Sequence, residues 1–173
     1  SDGHLFLYQA NAEIFYVVDV NPTSTDFVTL INTVNVTESG SPYSVGAVDW
    51  AFNPIDDYLY AVTSLTGHLI RVNPTDGTVI DLGVTGAALD VAYGAQYFDS
   101  YGNMYIAENE APGEIYRLDL SVPPTVPGGY DVNNTDLFAT SNHSGLSYND
   151  GALCPEAAFN IDFGDAPDTY GTT

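Results

Sequence analysis

Three aspartates recur at one place in a repeated phrase, and carboxylates so placed could ring a cation. Asp49 stands in Ala47-Val48-Asp49-Trp50-Ala51-Phe52 and Asp90 in Ala88-Leu89-Asp90-Val91-Ala92-Tyr93. Asp150 stands in the weaker copy Tyr148-Asn149-Asp150-Gly151-Ala152-Leu153. If the copies radiate about an axis, the three carboxylates offer hard oxygen ligands suited to Ca²⁺. Asp at a strand turn also serves as an acceptor for backbone N–H groups, and that reading competes at each position. Asp99 and Asn103 flank Gly102 in a further acidic turn, and Asp56-Asp57 form another. Neither turn has the regular alternation of oxygen ligands of an EF-hand loop, so turn formation competes there as well.

Other chemistry finds less support. His4, His68 and His143 are scattered, with no pair at zinc-ligand spacing. Ser144 and Ser147 lack the context of a nucleophile elbow. No glycine-rich loop opens a helix, and no pair of acids is singled out for glycoside hydrolysis. The expectation is a protein that is not an enzyme. Tyr97, Phe98 and Tyr101 lie beside a turn and are candidates to stack on sugars, whereas Trp50 and Tyr93 lie in the repeated phrase and read as core. Asn35, Asn133 and Asn142 each open an Asn-X-Ser/Thr triplet, the acceptor pattern for N-glycosylation. Cys154 is the single cysteine, so no intrachain disulfide forms. It reads as a buried thiol, with an intermolecular bridge as the alternative.

Charge narrows the partners. The 173 residues carry 23 acids against two bases, Arg71 and Arg117, for a net charge of −21. Such a surface repels nucleic acid and anionic lipid. It attracts cations or keeps the chain dissolved in salt. With 45% hydrophobic residues the chain is no disordered acidic tail. No apolar run approaches the roughly 20 residues that cross a bilayer as a helix, so no membrane insertion is expected. The absence of lysine, the acidity and the abundance of Thr, Asn, Gly and Tyr favour an extracellular or cell-surface address. Ser1-Asp2-Gly3 reads as the start of a processed chain or an excised fragment.

The elements that must position these residues are strands. A second phrase runs His4-Leu5-Phe6-Leu7-Tyr8, Tyr58-Leu59-Tyr60-Ala61-Val62 and Asn103-Met104-Tyr105-Ile106-Ala107. A third runs Val17-Val18-Asp19-Val20-Asn21-Pro22-Thr23, Leu69-Ile70-Arg71-Val72-Asn73-Pro74-Thr75 and Ile115-Tyr116-Arg117-Leu118-Asp119. The period of about 40–50 residues is that of propeller blades. No useful helical periodicity occurs, and turn residues punctuate short alternating runs. The expected fold is all-β and propeller-like, with three four-stranded repeats. In the second repeat the expected strands are 45–52, 58–63, 68–72 and 78–82. The opening phrase at 146–153 is expected to pair with the first repeat and close the ring, within the chain or in a neighbour. Residues 1–156 would form the repeat domain. Residues 121–132 read as an exposed Pro/Gly-rich loop. Residues 157–173 read as a tail, in which Phe159, Ile161 and Phe163 alternate on one strand face and suit an assembly contact.

The segment Asp162-Phe163-Gly164-Asp165-Ala166-Pro167-Asp168-Thr169-Tyr170-Gly171 resembles the opening of GEVED-type domains of very large bacterial surface proteins. The Asp150-Gly151-Ala152-Leu153-Cys154-Pro155 step resembles the end of a propeller-like repeat module that often precedes them, and the Arg-Val-Asn-Pro-Thr-Asp-Gly phrase at 71–77 is similar to that module too. The resemblance implies a secreted, multidomain, adhesin-like or filament context and carries no catalytic residues. Only the first residues of the GEVED-like segment are present. The sequence therefore reads as a structural or adhesive building block that contacts other copies or neighbouring domains. The alternative is a Ca²⁺-dependent carbohydrate-binding module whose partners are glycans.

Overall fold

The computed structural model describes residues 3–9, 12–140 and 151–152. Among these the architecture is all-β, with a single turn of 3₁₀-helix at Val132–Asn134. A three-stranded antiparallel sheet holds β1 (His4–Gln9), β2 (Ile14–Asp19) and β3 (Thr29–Asn35). A two-residue-per-strand hairpin follows, β4 (Thr37–Glu38) and β5 (Ser41–Pro42). The second large sheet orders β6 (Ala51–Phe52), β7 (Leu59–Val62), β8 (His68–Val72) and β9 (Val79–Val84). The third orders β10 (Tyr93–Phe98), β11 (Asn103–Glu108), β12 (Glu114–Asp119) and β13 (Thr135–Thr140). Every large sheet is a simple meander, the topology that short turns between sequential strands enforce.

The second sheet is the middle layer. Its Leu59, Ile70, Val72 and Val79 join Phe15, Val17 and Val34 of the first sheet in one core. Its Tyr60, Val62, Leu69 and Leu82 join Tyr93, Met104, Ile106 and Leu118 of the third sheet in another. Adjacent residues of β7 and β8 thus point to different cores, as the two-residue period of a strand requires. All four residues of β7 are buried. The phrase at 58–62 is therefore apolar throughout, the pattern of a strand covered on both faces.

The expected propeller is not formed. The four sheets are separate and open, and none closes into a barrel or ring. The two cores lie between the first and second sheets and between the second and third, and among the described residues no third core joins the first to the last. Among the described residues the first repeat contributes three strands, beginning at His4 where its second strand was expected, and β1 pairs with β2 alone. The closing segment 146–153 lies outside the described residues except Gly151 and Ala152. Gly151 packs against Ala95 and Tyr97 of β10 in the third sheet.

Two further expectations shift. The opening strand of the second repeat shrinks from 45–52 to Ala51–Phe52. Its earlier residues are held by single bonds, Ser64 N–H to Gly46 O at 2.7 Å and Val45 N–H to the Tyr8 hydroxyl at 3.1 Å. The loop at 121–132 is not wholly exposed. Gly128 and Tyr130 donate backbone N–H bonds to Asp81 O and Leu82 O, both at 3.0 Å, and the Tyr130 ring enters the core. The strand at His68–Val72 has the expected bounds.

Candidate functional site

The acids of the repeat act first on their own backbone. Asp19, Asp56, Asp76, Asp81, Asp99, Asp119 and Asp131 each accept the N–H of the residue two positions on, at 2.8–3.2 Å. Asn21, Asn53 and Asn73 do the same. This is the Asx turn, a side-chain mimic of a backbone turn, and it explains why Asp and Asn cluster between strands.

Among the proposed cation ligands, Asp99 and Asn103 are brought together. Asp99 is 2% exposed and accepts bonds from Tyr101 N–H, Asn103 N–H, the Asn103 side-chain amide and the Tyr105 hydroxyl. Both of its oxygens are engaged by donors. Asn103 presents its amide N–H₂ to Asp99, which orients the group as a donor there. Asp49 spans two sheets: its carboxylate accepts Trp50 N–H at 2.7 Å and Gln96 N–H at 2.7 Å. Gln96 in turn bonds the backbone of Val62 through both ends of its amide, at 2.6 and 3.1 Å. Asp90 sits at φ 62 in a turn whose N–H reaches Leu65 O. Asp150 lies outside the described residues. No group of three or more His, Cys, Asp or Glu suited to a metal occurs among the described residues.

The candidate sugar-binding aromatics do not share a surface. Tyr97 is half-buried and stacks on Tyr105 with centroids 5.5 Å apart. Phe98 points the other way, is 3% exposed, and meets Tyr60 edge-on in the core. Tyr101 is 61% exposed on the turn. Tyr93 is fully buried, and Trp50 packs edge-on against Phe15 and Tyr8. The Trp50 indole N–H is buried without a hydrogen-bond partner. Beside it a cavity of about 200 Å³ opens between the first two sheets, lined by His4, Leu5, Phe6, Phe15, Phe52 and Leu59 as well as Trp50. Asn35 is exposed at the end of β3, and Asn133 is exposed with its amide bonded to Asp131. Asn142, Phe159, Ile161 and Phe163 lie outside the described residues.

A charged cluster was not anticipated. Arg71, 7% exposed, donates from Nε and Nη2 to one oxygen of Asp56 at 3.1 and 3.0 Å. The Tyr60 hydroxyl donates to the same oxygen at 2.8 Å. The guanidinium lies 3.4 Å over the Tyr58 ring, a cation–π contact. Burial, and then the adjacent Asp56, push the Tyr60 phenol far up, so it stays a neutral donor. Arg117 holds the equivalent place in the third repeat but pairs with Asp136 at 2.6 Å on an exposed edge. His68 pairs with Asp81 at 2.8 Å. The one available signal was scarcity: a chain with two cations puts both at the same position of its third phrase. In the third repeat, burial and then Asp99 push the Tyr105 hydroxyl up to about 12.

Titration of the acids has a defined sign. Burial, reinforced by Glu114 and Glu110, raises the Glu108 carboxyl above its ordinary 4.5. The fold therefore disfavours its ionised form, and stability rises as pH falls through the raised value. Asp19 and Asp119 are lowered from 3.8, Asp19 by Ser24 and the Asn21 N–H, Asp119 by the Ser121 hydroxyl and N–H. Their contribution is present above 3.8 and is lost as pH falls through the lowered values. Falling net charge adds to the first trend. The melting temperature should thus be higher at about pH 5 than at neutrality and drop again below about pH 3.5. A thermal series across that range, followed by circular dichroism, checks it, and a maximum at neutral pH would contradict it.

No curated protein matches the chain. A family described as a repeat of unknown function (DUF6923) matches residues 1–156. That span contains all three large sheets and the recurring phrases that build them, so the chain belongs to this repeat family.

Proposed function

We propose that the chain is a non-enzymatic building block of an extracellular surface: a module of an adhesin-like protein or filament that joins other copies of itself or neighbouring domains. The observation that carries this reading is the employment of its polar residues. Seven described aspartates close turns, Asp49 ties one sheet to the next, and both arginines are paired within sheets. Acids spent on turns and solvation suit a durable scaffold more than a reactive site. The net charge of −21 keeps such a scaffold dissolved. The resemblance of residues 162–171 to the start of GEVED-type domains supports the surface context. Phe159, Ile161 and Phe163, at and just before the start of that stretch, are a candidate contact with a neighbour.

The test is a thermal melt in millimolar Ca²⁺ against Na⁺ at matched ionic strength, paired with a glycan array run with and without EDTA. Equal stabilisation by both salts and an empty array are expected, because screening alone relieves self-repulsion. A Ca²⁺-specific rise together with EDTA-sensitive sugar binding would replace this reading with the carbohydrate-binding one.

A further inference from the structure

The interface between the first two sheets is not fully packed. Protein interiors close to crystal density and leave few voids larger than a water. Yet a cavity of about 200 Å³ opens here, beside the start of β1 and the end of β6. The corresponding ring of the second interface is enclosed. Phe52 ends β6 and pairs with Leu59, and Phe98 ends β10 and pairs with Met104. Each ring meets an aromatic of the preceding sheet edge-on: Phe52 meets Phe6 at 5.2 Å, and Phe98 meets Tyr60 at 5.6 Å. Phe98 is 3% exposed, whereas Phe52 is 37% exposed beside the cavity.

The walls define what fits. Phe6, Phe15, Trp50 and Phe52 contribute rings, and Leu5 and Leu59 aliphatic chains. The indole N–H is itself buried, so the cavity meets the ring carbons of Trp50. Apart from the indole, His4 is the one lining side chain with polar atoms. A trapped water needs about two to four polar partners, whereas an apolar cavity of about 150 Å³ takes up benzene. This one therefore has room for a single ring with a small substituent. The wall rings already meet edge-on, Phe6 with Phe15 at 71° and Phe15 with Trp50 at 78°, an arrangement that a further ring extends. A sugar would leave its hydroxyls without partners there. No described carboxylate lines the cavity, so an ammonium would lose its water and gain no counter-charge. An anion would oppose the net charge of −21.

We propose that this cavity binds one uncharged aromatic ring, taken in past Phe52 and held against Trp50 between the first and second sheets. The ring belongs to a free small molecule or to an aromatic side chain of another polypeptide, and the recognition chemistry is the same for both. The site goes beyond the building-block reading and does not depend on it.

Trp50 is the only tryptophan in the chain, so its fluorescence reports on the cavity. Toluene titrated into the full chain should change that emission saturably, with half-saturation at about 1 mM or below. Benzoate and benzylammonium carry the same ring beside a charge and should bind at least about tenfold more weakly. Glucose should leave the emission unchanged. Phe52→Asn puts a polar group at the partly exposed mouth and should weaken toluene binding at least about tenfold, with Phe52→Leu between it and wild type. Circular dichroism checks that both variants fold. Nuclear magnetic resonance on the wild type frees the test from the variants: the ring protons of Phe6, Trp50 and Phe52 should shift with toluene, and those of Tyr93 and Phe98 in the second core should not. Acetylphenylalanine amide separates the two sources. Tighter binding than toluene assigns the ring to a polypeptide, and weaker binding assigns it to a free molecule. The absence of any saturable response to toluene overturns the proposal. So do benzoate binding as tight as toluene, undiminished binding by Phe52→Asn, and ring shifts spread over both cores.

Discussion

Gly77→Ala should be among the most damaging single-methyl additions in the chain, costing at least about 3 kcal/mol of stability. Gly77 closes the turn between β8 and β9 at φ +74, and its carbonyl accepts the Thr37 N–H at 2.9 Å. A Cβ there would stand 1.9 Å from Asn35 O and 2.7 Å from Asn35 C, both backbone atoms at the end of β3. No side chain can swing aside to relieve that overlap, so the second sheet must move off the first. The loss of the left-handed preference alone would cost about 1–2 kcal/mol. Gly40→Ala isolates this smaller component, since Gly40 has φ +78 and nothing within 4 Å of its added Cβ. Urea titration of both variants gives the comparison. Equal losses at the two positions would show that the approach of Gly77 to Asn35 is not what matters.

Arg71→Ala should cost about 3 kcal/mol. The guanidinium satisfies an Asp56 carboxylate whose side chain is only 17% exposed, and its removal leaves the Tyr60 hydroxyl and the Tyr58 N–H as that group's remaining donors. The ring of Tyr58 also loses its cation. Arg117→Ala is the internal control. Its pair with Asp136 is 40% and 60% exposed, where water and salt screen the attraction, so the loss should stay below about 1 kcal/mol. Both variants belong in one denaturation experiment. If the two arginines cost the same, burial is not the source of the difference.

Much of the fold was legible because the repeat phrases encode faces. The apolar runs in Leu59-Tyr60-Ala61-Val62 and His68-Leu69-Ile70-Arg71-Val72 locate two strands whose observed bounds fall within or on the expected ones. Ring closure was not legible. A period tells how many sheets there are, but the rotation from one sheet to the next arises from packing between Leu59, Ile70 and Phe15, which no single phrase contains. The opening strand misled for a related reason. Val45 to Trp50 looks like a β-run, yet Asp49 and Trp50 are committed to the neighbouring sheets and leave two residues for pairing. At the candidate site, the turn role of Asp and Asn could be read from local chemistry. The Arg71–Asp56–Tyr60 cluster could not, because it joins a turn to two strands, with Asp56 and Arg71 15 residues apart in the chain.

The middle sheet belongs to both cores, and this sets how the chain comes apart. Opening the first sheet exposes one core and leaves the other sealed, and the same is true of the third. Releasing the second sheet sacrifices both cores together. In a linear array with only nearest-neighbour coupling, the outer units therefore peel at lower free energy than the central one. Flanked by a neighbour on each side, every sheet of a longer series would acquire the protection that the middle one has here. Length itself would then harden the array against local opening, with no change in any residue.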